Sequence, residues 1–292
     1  MNALRKYDIP DVIIGNWKGQ YGLEPTPFGD EHSYIEHTLL WAKEAWRVLR
    51  SDGVFFLNLA DSYSTVSGDM SQDKYGKLGT SLENNIGIIK QPKIMNYPSK
   101  CKLMIPERIA IALVDSGWTL RNSIVWYKPN AMPESVTDRF SKKYESIFMF
   151  TKQEKYYFDL SAVREKCLPL NRWGGNKLVA NGKSMWDEGT GQSTYRDRDM
   201  QPNDSMKNPG DVFIIPTQPS SEKHYAMWPE RLVERMVKCS TKPGDIVLDC
   251  FAGSCTTGIV AESLHRKFIG IELGYENIIK RRMGKIQKEM FV

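Results

Sequence analysis

Two acidic residues, each placed at the end of an apolar segment, flank a turn of small residues near the C-terminal end of the chain. Residues 246–248 are apolar and lead to Asp249, and the apolar segment 268–273 carries Glu272. The turn at 252–257 opens a segment of helical length. This order predicts a βαβ unit that holds an adenosine-containing ligand, because small residues let the backbone approach the ligand closely. The second acid can then accept hydrogen bonds from both ribose hydroxyls.

The turn also indicates which adenosine ligand is bound. Residues 251–258 lack the Gly-x-Gly-x-x-Gly spacing with which a helix N-terminus holds a pyrophosphate. The carboxylate of Asp249 would repel a pyrophosphate, whereas it suits a ligand with an ammonium group. S-adenosylmethionine has an amino-acid tail and no phosphate, so the turn favours this cofactor and disfavours an NAD-dependent oxidoreductase. A parallel βαβ unit without a ligand is the simpler alternative.

The segment 249–257 resembles the Asp-Pro-Phe-x-Gly-Ser-Gly-Thr-Thr motif of DNA amino-methyltransferases, which methylate N6 of adenine or N4 of cytosine. Cys250 replaces the proline and Cys255 replaces the second glycine of that motif. The second replacement predicts weaker cofactor binding, because it adds a side chain to a turn that is otherwise bare. Further segments that resemble the family lie at 47–53, 128–145 and 224–229, the last with Trp228 in place of phenylalanine.

This resemblance implies an α/β fold: a Rossmann-like S-adenosylmethionine-dependent methyltransferase sheet with helices on both faces, plus an irregular target-recognition insert. The function it implies is site-specific transfer of a methyl group from S-adenosylmethionine to the exocyclic amino group of adenine or cytosine in DNA, without a metal. Motif matches and the βαβ argument together assign the cofactor to Asp249, Phe251, Gly253, Ser254, Thr256, Thr257, Glu272, His224, Ala226 and Pro229.

The resemblance also divides the chain into three parts. Residues 1–160 are expected to form the first half of the catalytic domain on the target-base side, and residues 211–292 the cofactor-binding half. Between them, residues 161–210 lack periodicity and combine basic with aromatic residues, which suits phosphate contact and base stacking. A generic surface excursion explains that composition equally well. The candidate DNA-contacting residues are Lys128, Asn130, Arg139, Arg172, Trp173, Arg196 and Arg198.

One motif of the family is missing. The motif order resembles the permuted β class, in which a Ser/Asp-Pro-Pro-Tyr tetrapeptide comes first and orients the target amino group, yet no Pro-Pro-Tyr occurs in the chain. No catalytic residue is therefore assigned. We expect a truncated form, a strand supplied by another chain, or a catalytically inactive cofactor- and DNA-binding remnant of a restriction-modification system. Loss of the strand that carries the tetrapeptide would leave the sheet short and expose an edge.

Composition is typical of a globular protein. The 292 residues carry a formal net charge of +5, which permits a polyanionic partner, and no apolar run approaches the roughly 20 residues of a membrane span. Five cysteines in no zinc-binding pattern favour a reducing compartment. We expect a cytoplasmic, prokaryotic, archaeal or phage-encoded protein, as a monomer or homodimer. The expected partners are double-stranded DNA and a cognate restriction endonuclease system, with no membrane.

Periodicity and turn residues predict the remaining elements. An apolar stripe predicts a helix over 35–49, and a continuous apolar run predicts a buried strand over 54–59. Pro106 and Gly117 delimit a second helix, and a third begins at Pro229. The other expected elements are a long surface loop at 62–100, strands at 118–127 and 211–216, and a β-hairpin made of 146–150 and 156–158.

Overall fold

The computed structural model describes residues 11–16, 31–64, 98, 100–166, 206–218 and 228–289. The strands within these residues are β1 (Val12–Asn16), β2 (Val54–Leu59), β3 (Thr119–Tyr127), β4 (Tyr144–Thr151), β5 (Glu165–Lys166), β6 (Met206–Lys207), β7 (Val212–Ile214), β8 (Ile246–Asp249) and β9 (Lys267–Gly270). The α-helices are α1 (Glu31–Val48), α2 (Ile105–Asp115), α3 (Glu230–Ser240), α4 (Thr256–Ser263) and α5 (Glu276–Glu289).

Seven strands form one mixed sheet in the order β7-β3-β4-β2-β1-β8-β9. Strands β2, β1, β8 and β9 are parallel to one another, and β4 runs antiparallel between β2 and β3. After β8, the chain crosses through α4 to β9, towards one edge of the sheet. After β1, it crosses through α1 to β2, towards the other edge. The strand order therefore reverses between β8 and β1, which is the place where open α/β sheets bind ligands beyond the carboxyl ends of their strands.

The centre of the sheet is apolar on both faces. All six residues of β2 are buried, as a continuous Val-Phe-Phe-Leu run at a central position requires. Phe55, Leu57 and Phe150 pack against the apolar faces of α1 and α2 in one core cluster. Alternate residues on the opposite face, such as Val54 and Phe56, are buried as well. The expected layers of helices on both faces follow from this pattern.

The expectation of a sheet that lacks its central strand is wrong. Strand β1 lies between β2 and β8 and is in register with both, with Ile13 opposite Phe55 and Leu248. At its amino end, the Asp11 carboxylate accepts a hydrogen bond from the Ile246 backbone N–H (2.8 Å) and forms an ion pair with Arg50. This segment has only three consecutive apolar residues, so its strand conformation depends on pairing with β2 and β8, which are distant in the sequence.

Two other expectations need correction. Residues 156–158 form no strand, and β4 pairs with β2 and β3 instead of closing a hairpin with them. The third helix begins at Glu230, with Pro229 as its N-cap residue. Most of the expected 62–100 loop lies outside the described residues. No helix among the described residues is long and apolar enough to cross a membrane.

Residues 160–210 form a compact unit separate from the rest of the chain. Its described residues include a short 3-10 helix at Ser161–Val163 and the antiparallel pair of β5 and β6, in which Glu165 lies opposite Lys207. The role of this unit in target recognition stays a prediction.

Candidate cofactor site and target cavity

Asp249 ends β8 and organises the turn that follows it. One carboxylate oxygen accepts a hydrogen bond from the Phe251 backbone N–H (2.9 Å), and the other accepts one from the Thr257 hydroxyl (2.5 Å). Thr257 lies in the first turn of α4, so a single side chain connects the end of the strand to the start of the helix. The turn between them is held at the carboxyl edge of the sheet, beside the point where the strand order reverses.

Glu272 lies two residues beyond β9 and faces the same turn. Its Oε2 accepts a hydrogen bond from the Gly253 backbone N–H (2.7 Å), and its Oε1 accepts bonds from the backbone N–H groups of Leu273 and Gly274 (2.9 Å each). The two acids that the sequence singles out are therefore joined through one turn. Gly253 supplies a positive φ of 52° there, which a glycine adopts without strain.

The electrostatics around Asp249 favour a cationic ligand. Burial of the carboxyl raises its pKa to about 6, and the negative charge of Glu272 acts in the same direction, against the hydrogen bonds from Thr257 and Phe251. Among the described residues, no lysine or arginine pairs with Asp249. A buried carboxylate without a cation is costly, so this group is suited to an ammonium brought by a ligand.

Arg282 on α5 also holds the turn, a role that the sequence analysis missed. Its Nη1 donates to the Ser254 carbonyl (2.6 Å), to the Ser254 hydroxyl (2.9 Å) and to the Thr256 hydroxyl (3.2 Å). Its Nη2 lies 3.9 Å from Glu230 at the start of α3. The run of basic residues at 280–282 suggests a solvated helix face, and only the fold brings Arg282 to the turn.

Of the other expected cofactor residues, two lie among the described residues and two lie outside them. Phe251 packs edge-on against Trp41 of α1, with ring centroids 5.1 Å apart, so its ring is supported at the mouth of the turn. Pro229 precedes α3, which packs against α4. His224 and Ala226 lie outside the described residues, and their role stays a prediction.

A cavity of about 620 Å³ opens at the same carboxyl edge, on the other side of the sheet centre. It lies beyond the end of β2, where Ala60 and Asp61 follow the strand, and between the end of β3 and the start of β4. Trp126 and Tyr144 contribute aromatic walls, and Met132 lies at its mouth. The cavity combines apolar walls with a few polar groups, as sites for planar organic molecules do.

The floor of this cavity carries carboxylates that are themselves held by hydrogen bonds. Glu145 is largely buried, accepts a hydrogen bond from the Asn58 amide (2.6 Å) and forms an ion pair with Lys128. Asp61 accepts from the backbone N–H groups of Ser62 (2.8 Å) and Ile105 (3.1 Å), and its second oxygen lies 3.3 Å from the Lys102 ammonium. Both acids line the cavity.

The described candidate DNA contacts make bonds within the protein. Lys128 pairs with Glu145 and lies 4.1 Å from the centre of the Trp126 ring. Asn130 bonds to the backbone of Thr217 in both directions (2.8 and 2.9 Å). Arg139 donates to Glu134 (2.7 Å). These bonds organise the loop beside the cavity, while contact with DNA stays a prediction. Arg172, Trp173, Arg196 and Arg198 lie outside the described residues.

Comparisons with known proteins identify the family to which the chain belongs. A family model described as DNA methylase matches residues 21–280. The chain belongs to the DNA methylase family. The type II methyltransferase M.XycI of Xanthomonas campestris pv. cyanopsidis is 34% identical over 280 residues, which cover 94% of this chain and 75% of that protein. The chain is thus a methyltransferase that transfers a methyl group from S-adenosylmethionine to an exocyclic amino group of DNA, N6 of adenine or N4 of cytosine.

Solved structures share the fold of this methyltransferase. The cytosine-N4-specific PvuII DNA methyltransferase matches with a TM-score of 0.62 and 18% identity, over 93% of this chain and 77% of that one. The S-adenosylmethionine complex of M1.HpyAVI matches with a TM-score of 0.51 and 19% identity, over 94% of this chain and 88% of that one. The expected Rossmann-like methyltransferase fold is confirmed.

Cys255 of the methyltransferase, at the family's second glycine, adopts a left-handed backbone with φ 66° and ψ 31°. The residue is only 1% exposed, and its Sγ fills the space beside Gly258, where an added Cβ would lie 2.5 Å away. Burial raises the pKa of the thiol to about 11, so the thiol stays protonated near neutral pH. The prediction that this side chain weakens cofactor binding is untested.

Replacing Cys255 distinguishes the backbone requirement from the packing requirement. We expect Cys255→Val to lower the free energy of unfolding by about 2–3 kcal/mol, because a β-branched residue is strained at positive φ and overfills the space beside Gly258. We expect Cys255→Gly to change it by less than about 1 kcal/mol, since relief of strain offsets lost burial and backbone entropy. Urea unfolding of both variants measures this. Equal effects would contradict the left-handed geometry.

No group of three or more His, Cys, Asp or Glu side chains within the described ranges is arranged to hold a metal ion.

Proposed function

We propose that the methyltransferase binds S-adenosylmethionine in the turn between β8 and α4 and receives the target base in the cavity beyond β2. The observation that carries this proposal is Asp249, a buried carboxylate without a cationic partner among the described residues, next to a turn held by Glu272. The ammonium of the cofactor would supply the missing charge. Glu272 has further lone pairs with which to accept hydrogen bonds from the ribose hydroxyls.

The chemistry of the cavity supports an amino group as the acceptor of the methyl. When bound, the cofactor would supply a methyl group: the amino nitrogen bonds to the methyl carbon as the carbon–sulfur bond breaks, S-adenosylhomocysteine leaves, and the methylated amino group releases a proton to solvent. The chain contributes orientation, which accounts for much of the acceleration of a displacement between two bound partners. Asp61 and Glu107 both line the cavity, and each has one buried carboxylate oxygen that accepts no hydrogen bond from the described part of the protein. Such oxygens accept N–H bonds from an exocyclic amino group and direct its lone pair towards the methyl.

The wider setting is also a proposal. The relatives' description as type II methyltransferases supports a role as the modification partner of a cognate restriction endonuclease, acting on double-stranded DNA in a prokaryotic cytoplasm as a monomer or homodimer. Residues 161–210 would then contain the target-recognition segment, and residues 211–292 the cofactor-binding half.

Filling the cavity tests the proposed placement of the base. Ala131 lies on the loop that lines the cavity, and its backbone N–H bonds to the Lys128 carbonyl (3.1 Å). We expect Ala131→Trp to reduce methyl transfer to DNA by more than about 100-fold, because the indole occupies the space of a base. Binding of S-adenosylhomocysteine, measured by calorimetry, should stay within about 3-fold of the wild type, since the cofactor turn is untouched.

The control is Ala131→Ser, which adds little volume and should keep methyl transfer near the wild-type rate. Full activity of Ala131→Trp would place the target base elsewhere. Equal loss of cofactor binding and methyl transfer would show that the substitution disturbs the fold and would remove the support for a separate base site.

A further inference from the structure

Two large apolar side chains stand in solvent at the mouth of the cavity. Phe140 is 97% exposed and Met132 is 88% exposed, and both line the opening. Single exposed apolar residues are ordinary on protein surfaces. Here, however, two of them belong to one loop, residues 128–143, and border one cavity. The loop presents apolar surface at the place where the target base is proposed to enter.

The backbone around Phe140 is held in place although its ring is free. Glu134 accepts a hydrogen bond from the Arg139 guanidinium (2.7 Å) and another from the Lys142 backbone N–H (3.2 Å). Arg139 also donates to the carbonyl of Phe140 (3.0 Å) and stacks 4.2 Å above the ring of Tyr63. Residues on both sides of Phe140 are therefore fixed to the same carboxylate. A protruding ring on such a loop is positioned before any partner arrives.

The charges around the opening suit a nucleic acid. The cavity floor is acidic, but two exposed lysines of the loop line its opening: the side chain of Lys142 is 39% exposed, and Lys143 is exposed between Lys142 and β4. Cationic side chains at a rim contact phosphates without reading sequence. An apolar tip between such cations is the arrangement with which proteins enter a base stack.

We propose that Phe140 is a wedge that enters the DNA base stack at the space left by the target base while that base occupies the cavity. The proposal rests on the proposed function. A base must leave the duplex before its amino group can reach an active site, and unpairing and unstacking oppose this movement. An aromatic ring in the vacated space recovers part of the lost stacking. Phe140 is thus a positioning residue.

The test compares paired with unpaired targets. Once the modified site of the wild type is known from sequencing, methyl transfer by Phe140→Ala is measured on a duplex with a normal target pair and on one with the target base opposite an abasic site. We expect kcat/KM to fall at least about 30-fold on the normal duplex and less than about 3-fold on the second, because the second target is already unpaired. Phe140→Trp should retain most activity.

Phe158→Ala provides the matched control, since Phe158 is also an exposed phenylalanine (42%) and does not line the cavity. It should equal the wild type on both duplexes. Wild-type rates for Phe140→Ala on the normal duplex would overturn the wedge. An equal loss on both duplexes would overturn it too, because it would indicate a role other than opening the pair.

A binding measurement separates failure of the wedge from failure of the proposed function. With S-adenosylhomocysteine present, the wild type should bind a duplex with a central abasic site about 10-fold more tightly than the intact duplex, since Phe140 fills the gap. Phe140→Ala should lose this preference. If the wild type transfers no methyl group, the proposed function fails, and the binding measurement still tests the wedge. The wedge is overturned if the wild type shows no preference for the abasic duplex, or if Phe140→Ala keeps that preference.

Discussion

Replacing Glu272 by glutamine is expected to weaken binding of S-adenosylhomocysteine by about 100-fold, because two charge-assisted hydrogen bonds to the ribose would be lost. The Glu272 carboxylate accepts hydrogen bonds from backbone N–H groups through both oxygens, at Gly253 on one side and at Leu273 and Gly274 on the other. Glutamine has one acceptor oxygen, so its NH₂ group would meet an N–H donor. The turn at Gly253 would then lose its support. Calorimetry measures the affinity.

Glu276→Gln is the control for this substitution. Glu276 lies four residues further along the chain, at the start of α5, and pairs with Lys280 at the surface (2.6 Å), where its side chain is 77% exposed. An exposed pair of this kind contributes little stability, and we expect unchanged cofactor affinity. If Glu272→Gln bound the ligand as tightly as Glu276→Gln, the assignment of the ribose to Glu272 would be wrong.

Replacing Asp249 by asparagine is expected to weaken binding of S-adenosylhomocysteine by at least about 30-fold, because a buried carboxylate–ammonium pair would be lost. The fold should survive. Asparagine can accept the hydrogen bond from Phe251 and donate to Thr257, and it removes a charge whose burial raises the pKa of Asp249 to about 6. Asp245→Asn, at the opposite end of β8, is the control and should keep full affinity.

The same carboxyl predicts how cofactor binding depends on pH. Above its pKa of about 6, Asp249 is charged and can pair with the ligand ammonium; below it, the group is neutral and the pair is lost. The affinity for S-adenosylhomocysteine should therefore fall about tenfold per pH unit below pH 6. Neither Asp249→Asn nor 5′-methylthioadenosine, which lacks the amino-acid tail, should show this slope. A slope shared by both ligands would place the titrating group away from the ammonium.

The cofactor side of the site was predictable because its signals are local. An apolar run, a small-residue turn and a second apolar run occur within 30 residues, and they fold into β8, α4 and β9 as their order predicts. Only the strand end differs: β9 ends at Gly270, so Glu272 lies in the loop beyond it. The acid still reaches the turn, because both strands end at the same edge of the sheet.

The features that the sequence did not predict depend on contacts between distant residues. Strand β1 has three consecutive apolar residues and is a strand only because β2 and β8 flank it. Arg282 resembles any surface arginine until α5 places it against Ser254. The aromatic residues at 156–158 imitate an alternating strand, but β4 is already paired on both sides. Pairing between segments that are distant in the sequence produces no signal in the local hydrophobic periodicity.

Amino-group methylation by this chain is tested most directly by transfer of labelled methyl from S-adenosylmethionine to mixed-sequence duplex DNA, followed by mass spectrometry of the digested nucleosides. Labelled N6-methyladenine or N4-methylcytosine is expected, with no label on carbon 5 of cytosine. Absence of any labelled nucleoside, with folded protein that binds S-adenosylhomocysteine, would contradict methyl transfer by this chain and leave a cofactor-binding scaffold.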